Sequence, residues 1–182
     1  MSASTPAAPT PALGKRPQRG PFAWAGAFTG FYPATATDLD GLDPVARFLY
    51  AARSVILVIS AQAAAIAGLL TATDRRFELV PFLLVFVGYV VLHGISNLSN
   101  DYFGYKRGHD TEDSPRRRYT LHPVASGAFT MRFLATGLTV LAIAAAAIGV
   151  YFIALRGWGA VILTVAGALL LCAYDAAPRA LK

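Results

Sequence analysis

Residues 97–118 read NLSNDYFGYKRGHDTEDSPRRR, which crowds amides, carboxylates and cations into one short stretch. If a helix continues past Ser96, then Asn97, Asn100, Asp101 and Gly104 fall at i, i+3, i+4 and i+7 and share one face. Oxygen donors grouped in this way suit Mg²⁺, which binds through one or two carboxylates and completes its shell with substrate phosphates. Asp110, Glu112 and Asp113 add negative charge just downstream. Lys106, Arg107, Arg116, Arg117 and Arg118 are the candidate holders of phosphate oxygens. Acids and bases mixed in this way provide what a metal-bound diphosphate needs.

Each part has a plainer reading. Asn97 and Asn100 can simply end a helix by bonding its backbone. The Arg116–Arg118 run, taken alone, reads as a lipid-facing patch that sets orientation. Tyr102, Phe103 and Tyr105 read as an aromatic belt. His93 and His122 read as packed or hydrogen-bonded side chains, and His109 as a solvated one. The order and spacing of the whole set favour a site.

The elements that must carry this stretch are membrane helices. Only 14% of the residues are charged, against about 25% in an ordinary soluble domain, and mean hydropathy is +0.51. Four apolar runs approach or reach bilayer length: Ser54–Thr73, Phe77–Ser96, Phe133–Leu155 and Trp158–Tyr174. As helices they satisfy their own backbone, which the lipid core demands. The small residues in the first, third and fourth runs suit close helix packing. The fold class is therefore all-α, an integral membrane bundle of about four transmembrane helices. The lone Cys172 excludes a disulfide framework and is expected to pack as a small hydrophobe.

Charge orients the bundle. With four spans, thirteen bases fall on the side of the termini and the middle loop, and three (Arg75, Arg76 and Arg156) on the other. The positive-inside rule then puts both termini and residues 97–131 in the cytoplasm. The pI of 9.8 reports topology and anionic lipid; no nucleic-acid partner is expected. Residues 1–37 form a separate N-terminal segment. Its first 20 residues are rich in Pro and Ala and expected to be disordered, and Trp24 and Tyr32 are expected near the interface. Residues 38–182 form the transmembrane domain, opening with a short helix near Asp43–Pro44. The 97–131 connection is expected to be a folded cap with a short helix of its own.

The stretch NLSNDYFGYKRGHDT followed by HPVASG resembles the first motif region of the UbiA superfamily of membrane prenyltransferases, most closely its menaquinone-pathway branch. The matching positions are Asn97, Leu98, Asn100, Asp101, Tyr102, Gly108 and Asp110, then Pro123, Ser126 and Gly127. The final YDAAPRALK is similar to the run that follows the family's fourth helix. The resemblance spans about residues 45–182.

It implies transfer of an isoprenyl group from a prenyl diphosphate to an aromatic, quinone-precursor-like acceptor in the inner (cytoplasmic) membrane, with Mg²⁺ assisting departure of the diphosphate. The carried-over catalytic positions are Asn97, Asn100, Asp101 and Asp110, with Asn100, Asp101 and Asp110 as metal ligands. It also implies about nine membrane helices and a second Asp-rich motif. These 182 residues hold four spans and one motif, so the chain reads as the N-terminal part of a UbiA-type nine-helix fold, with the remainder expected from further chain or a second polypeptide. Where the family usually has Asp, this chain has Gly104. The alternative reading is a non-catalytic, truncated UbiA-like membrane subunit or scaffold.

Overall fold

The computed structural model describes residues 19–29, 39–109 and 122–176. Two short helices precede the membrane region, α1 (Pro21–Phe28) and α2 (Pro44–Ala51). Four long helices follow: α3 (Ser54–Thr73), α4 (Leu79–Lys106), α5 (Met131–Arg156) and α6 (Trp158–Leu171), the last running into a π turn at Cys172–Ala176. All four are long and apolar enough to cross a bilayer, and the described residues contain no strand. Few of their apolar side chains are buried within the chain itself, as befits lipid-facing or helix-facing surfaces.

The first span coincides with its expected bounds. The second differs. The apolar run ends at Ser96, and α4 continues ten residues further, to Lys106, which meets the condition under which Asn97, Asn100, Asp101 and Gly104 share one face. Nothing between 97 and 106 breaks a helix: there is no proline, and Gly104 is a single interruption near the end. The start of the polar connection is thus helical. Residues 122–130 form turns, and residues 110–121, where a short cap helix was expected, lie outside those described.

Helices α4 and α5 pack closely because glycine faces the neighbour. A Cβ on Gly137 of α5 would lie 2.9 Å from the Phe48 ring and 3.3 Å from Leu98. The buried apolar cluster lies at this end: Leu39, Ala51, Leu98, Ala128, Phe129 and Leu134. At the opposite end Arg156 pairs with Glu78 at 3.2 Å, linking the α3–α4 and α5–α6 turns. That pair is exposed and contributes little. Cys172 departs from its expected packing: it is exposed, on the outer surface of the last span.

Asp43 starts α2 and also holds α1. Its carboxylate accepts from the Ala46 N–H at 2.9 Å, the Gly20 N–H at 2.8 Å and the Trp24 indole at 3.0 Å. The Ala46 bond, against an opposing desolvation, and then the Gly20 and Trp24 bonds hold its carboxyl below the ordinary value. A depressed carboxylate stabilises the fold above its unfolded-state value, and that contribution disappears as pH falls through the folded-state value. Acid titration should therefore release α1 from α2, read by Trp24 fluorescence in a Trp158→Phe background. In Asp43→Asn that acid transition should vanish; an unchanged transition would assign it to another group.

Candidate functional site: a polar corner at one mouth of the bundle

The predicted face of α4 turns inward. Asn97, Asp101 and Gly104 are buried and Asn100 is half-buried. Asp101 has no exposed surface at all. A carboxylate so placed needs a partner, and it has one: the Arg53 guanidinium donates to Asp101 Oδ1. One turn earlier, Asn97 Nδ2 donates to the Ala52 carbonyl at 2.9 Å. Two adjacent residues of the α2–α3 corner are therefore tied to two positions on the α4 face.

That corner has an unusual backbone. Arg53 adopts the left-handed conformation, φ 56° and ψ 52°, immediately before α3. For a residue with a Cβ this conformation costs about 1–2 kcal/mol. It ends α2, lets α3 begin in a new direction, and brings the Arg53 side chain to Asp101. Ser54 Oγ donates to the Leu49 carbonyl at 2.8 Å and closes the turn.

On the other flank of α4, Ser99 Oγ donates to Asp175 Oδ2 at 2.7 Å. Asp175 is fully buried in the π turn after α6. Arg107 donates to the carbonyls of Asp175 and Ala176, the latter at 2.8 Å, and lies over the Phe103 ring. Arg107 was expected to hold phosphate; in this arrangement it clamps the last span to the end of α4. Lys106 is exposed at the helix end.

The HPVASG segment is a structural staple. His122 is buried, and its Nδ1 accepts from the Val124 and Ala125 N–H groups at 3.2 and 3.1 Å. Ser126 Oγ donates to the Pro123 carbonyl and accepts from the Ala128 N–H, both at 3.3 Å. Gly127 sits at φ 77°, which explains glycine there. Arg47 then donates to the Ala128 carbonyl at 2.7 Å, fastening the loop to α2.

The structure thus gathers Asn97, Asn100 and Asp101 on one inward face, with Lys106 and Arg107 one to two turns further on. Asp110, Arg116, Arg117 and Arg118 lie outside the described residues. Sequence reasoning missed Arg53 and Asp175 as members of the corner. Arg53 is a base just before a long apolar run, and that position alone makes it a topology signal. Among the described residues no group of three His, Cys, Asp or Glu side chains is placed to hold a metal. One carboxylate and two amides fit Mg²⁺ only as a partial set, with diphosphate oxygens supplying the rest.

The UbiA prenyltransferase family matches residues 61–182. The chain belongs to that family. The match covers α4, with its polar face, and continues through the last two spans to the end of the chain. Membership makes this UbiA-family chain a membrane protein of prenyltransferase type and does not favour a scaffold over an enzyme. No curated protein and no solved structure matches it.

Proposed function

We propose that this chain acts in transfer of an isoprenyl group from a prenyl diphosphate to an aromatic, quinone-precursor-like acceptor within the bilayer. The observation that carries the reading is the inward polar face of α4, where Asp101 is wholly buried at the cytoplasmic mouth proposed from charge. A buried carboxylate held by an arginine at a membrane helix end is costly and points to function.

Asn97 and Asp101 are held by the α2–α3 corner, so their positions are fixed before substrate arrives. Asn100 and Asp101, with Asp110, are the residues that would hold Mg²⁺. The ion, when bound, neutralises charge on the departing diphosphate. Arg53 balances Asp101 and keeps the corner neutral while it is empty of anion. Lys106 and the Arg116–Arg118 run raise the local positive potential that draws a diphosphate in. The prenyl C–O bond breaks with its electron pair leaving on the diphosphate, the allylic carbon bonds to the acceptor ring, and the attacked ring carbon loses a proton, or carbon dioxide where it carried a carboxylate. The apolar spans keep water from competing for that carbon. The menaquinone-branch likeness of the motif favours a naphthoate-like acceptor.

The test is transfer itself. The chain in nanodiscs, given Mg²⁺, a labelled prenyl diphosphate and 1,4-dihydroxy-2-naphthoate, should yield a labelled product carrying both parts. Label recovered only as prenyl alcohol or unreacted diphosphate would favour a non-catalytic role.

Orientation is tested separately. We place both termini in the cytoplasm, in the inner membrane. In a Cys172→Ser background, Ser114→Cys should react with an impermeant thiol reagent only from the cytoplasmic face, and Arg75→Cys only from outside. The reverse pattern would invert the topology.

A further inference from the structure

Three polar links join the α2–α3 corner and α3 to α4 along one seam. Two lie at the mouth, Arg53 with Asp101 and Asn97 with the Ala52 carbonyl. The third lies deeper: Ser60 Oγ stands 2.8 Å from His93 Nδ1. Both residues are inside candidate spans. His93 is four residues before Asn97, so it shares that side of the helix about 6 Å further into the membrane. It is eight residues before Asp101, about 12 Å along the axis. The imidazole is only half-buried. Among the described residues Ser60 is its one hydrogen-bond partner.

An ionisable ring in an apolar span is expensive to keep. Packing alone does not call for it, since neighbouring positions of α4 are Val90, Val91 and Leu92. A polar ring reachable from the seam and one turn inside a diphosphate face is placed for the second substrate. We propose that His93, oriented by Ser60, binds a hydroxyl group of the aromatic acceptor; this rests on the prenyl-transfer reading above. The hydrogen bond at one imidazole nitrogen sets the state of the other. In the tautomer whose Nδ1–H donates to Ser60 Oγ, Nε2 presents a lone pair that accepts a phenol-type O–H; in the tautomer whose Nδ1 accepts from Ser60, Nε2–H donates to the phenol oxygen. The diphosphate and the allylic carbon occupy the mouth near Asp101 and Asn97. The acceptor ring lies inward of them, with its hydroxyl against His93. Fixing that hydroxyl fixes which ring carbon faces the allylic carbon.

The test compares two probes that differ by one hydroxyl, 6-hydroxy-2-naphthoate and 2-naphthoate, by equilibrium dialysis against the full chain in nanodiscs. One hydrogen bond is worth about tenfold in affinity, so the hydroxylated probe should bind about tenfold tighter. His93→Phe should abolish that preference by weakening only the hydroxylated probe. Ser60→Ala, which keeps the imidazole but frees its orientation, should reduce the preference part-way and serves if His93→Phe does not fold. Mg²⁺-dependent binding of geranyl diphosphate should be unchanged in both variants. Equal binding of the two probes by the parent chain overturns the proposal. So does a preference that survives His93→Phe, or survives Ser60→Ala in full where His93→Phe does not fold. Loss of geranyl diphosphate binding by the parent chain would instead overturn the prenyl-transfer reading, and the hydroxyl preference reports on His93 independently of it.

Discussion

Asp101→Leu is expected to destabilise the folded chain by about 3–5 kcal/mol, the usual cost of breaking a buried ion pair on one side. The side chain of Asp101 is 0% exposed and that of Arg53 22%. Removing the carboxylate strands a guanidinium that the backbone corner holds against α4. The compensating change is informative. Arg53→Met combined with Asp101→Leu removes both charges and leaves apolar groups of similar size, which is often neutral for stability. The double variant should regain most of the lost stability, while Mg²⁺-dependent diphosphate binding stays lost. Reversible unfolding in mixed micelles would measure the first, and equilibrium binding of geranyl diphosphate the second. A double variant as unstable as Asp101→Leu would show that the pair does not account for the cost.

Gly104→Asp is expected to act with opposite sign in the empty and the loaded protein. Position 104 follows Asn100 by four residues and Asp101 by three, on the same face. It is buried. An added carboxylate is therefore desolvated and faces a like charge one turn away, and should cost the empty protein about 2–3 kcal/mol. With Mg²⁺ and a prenyl diphosphate present, the same carboxylate is an additional metal ligand, and binding should tighten. The melting temperature should fall without ligand, and the upward shift on adding Mg²⁺ and diphosphate should exceed that of the parent chain. An unchanged shift would mean that the Asn97–Gly104 face does not hold the metal.

The spans were legible because apolar runs of bilayer length have one main solution. The bounds of α3 follow from its flanking charges alone. The extension of α4 to Lys106 was legible only as a condition, since polar composition marks the water boundary and helical spacing marks the helix, and here the two differ by ten residues. The shared inward face of Asn97 and Asp101 followed from 3.6-residue periodicity. Their partners did not. Arg53 reaches Asp101 across 48 residues of sequence, and Asp175 meets Ser99 across 76. No periodicity reports such distances. The left-handed backbone at Arg53 was also hidden, since glycine and asparagine are the usual signs of that conformation. His93 was legible only as a packed or hydrogen-bonded side chain, and the structure pairs it with Ser60.

The central claim is that a prenyl diphosphate binds, through Mg²⁺, at the inward face of α4. Equilibrium binding of geranyl diphosphate to the chain in nanodiscs, with and without Mg²⁺, tests it most directly. The comparison is between Asp101→Ala and Asp113→Ala, two carboxylates 12 residues apart in the same polar stretch. Binding should require Mg²⁺, and Asp101→Ala should weaken it by at least about tenfold, the worth of one charge-assisted contact. Asp113→Ala should change it little. Equal losses in the two variants, or binding indifferent to Mg²⁺, would contradict the account, because the carboxylates would then act only as diffuse charge.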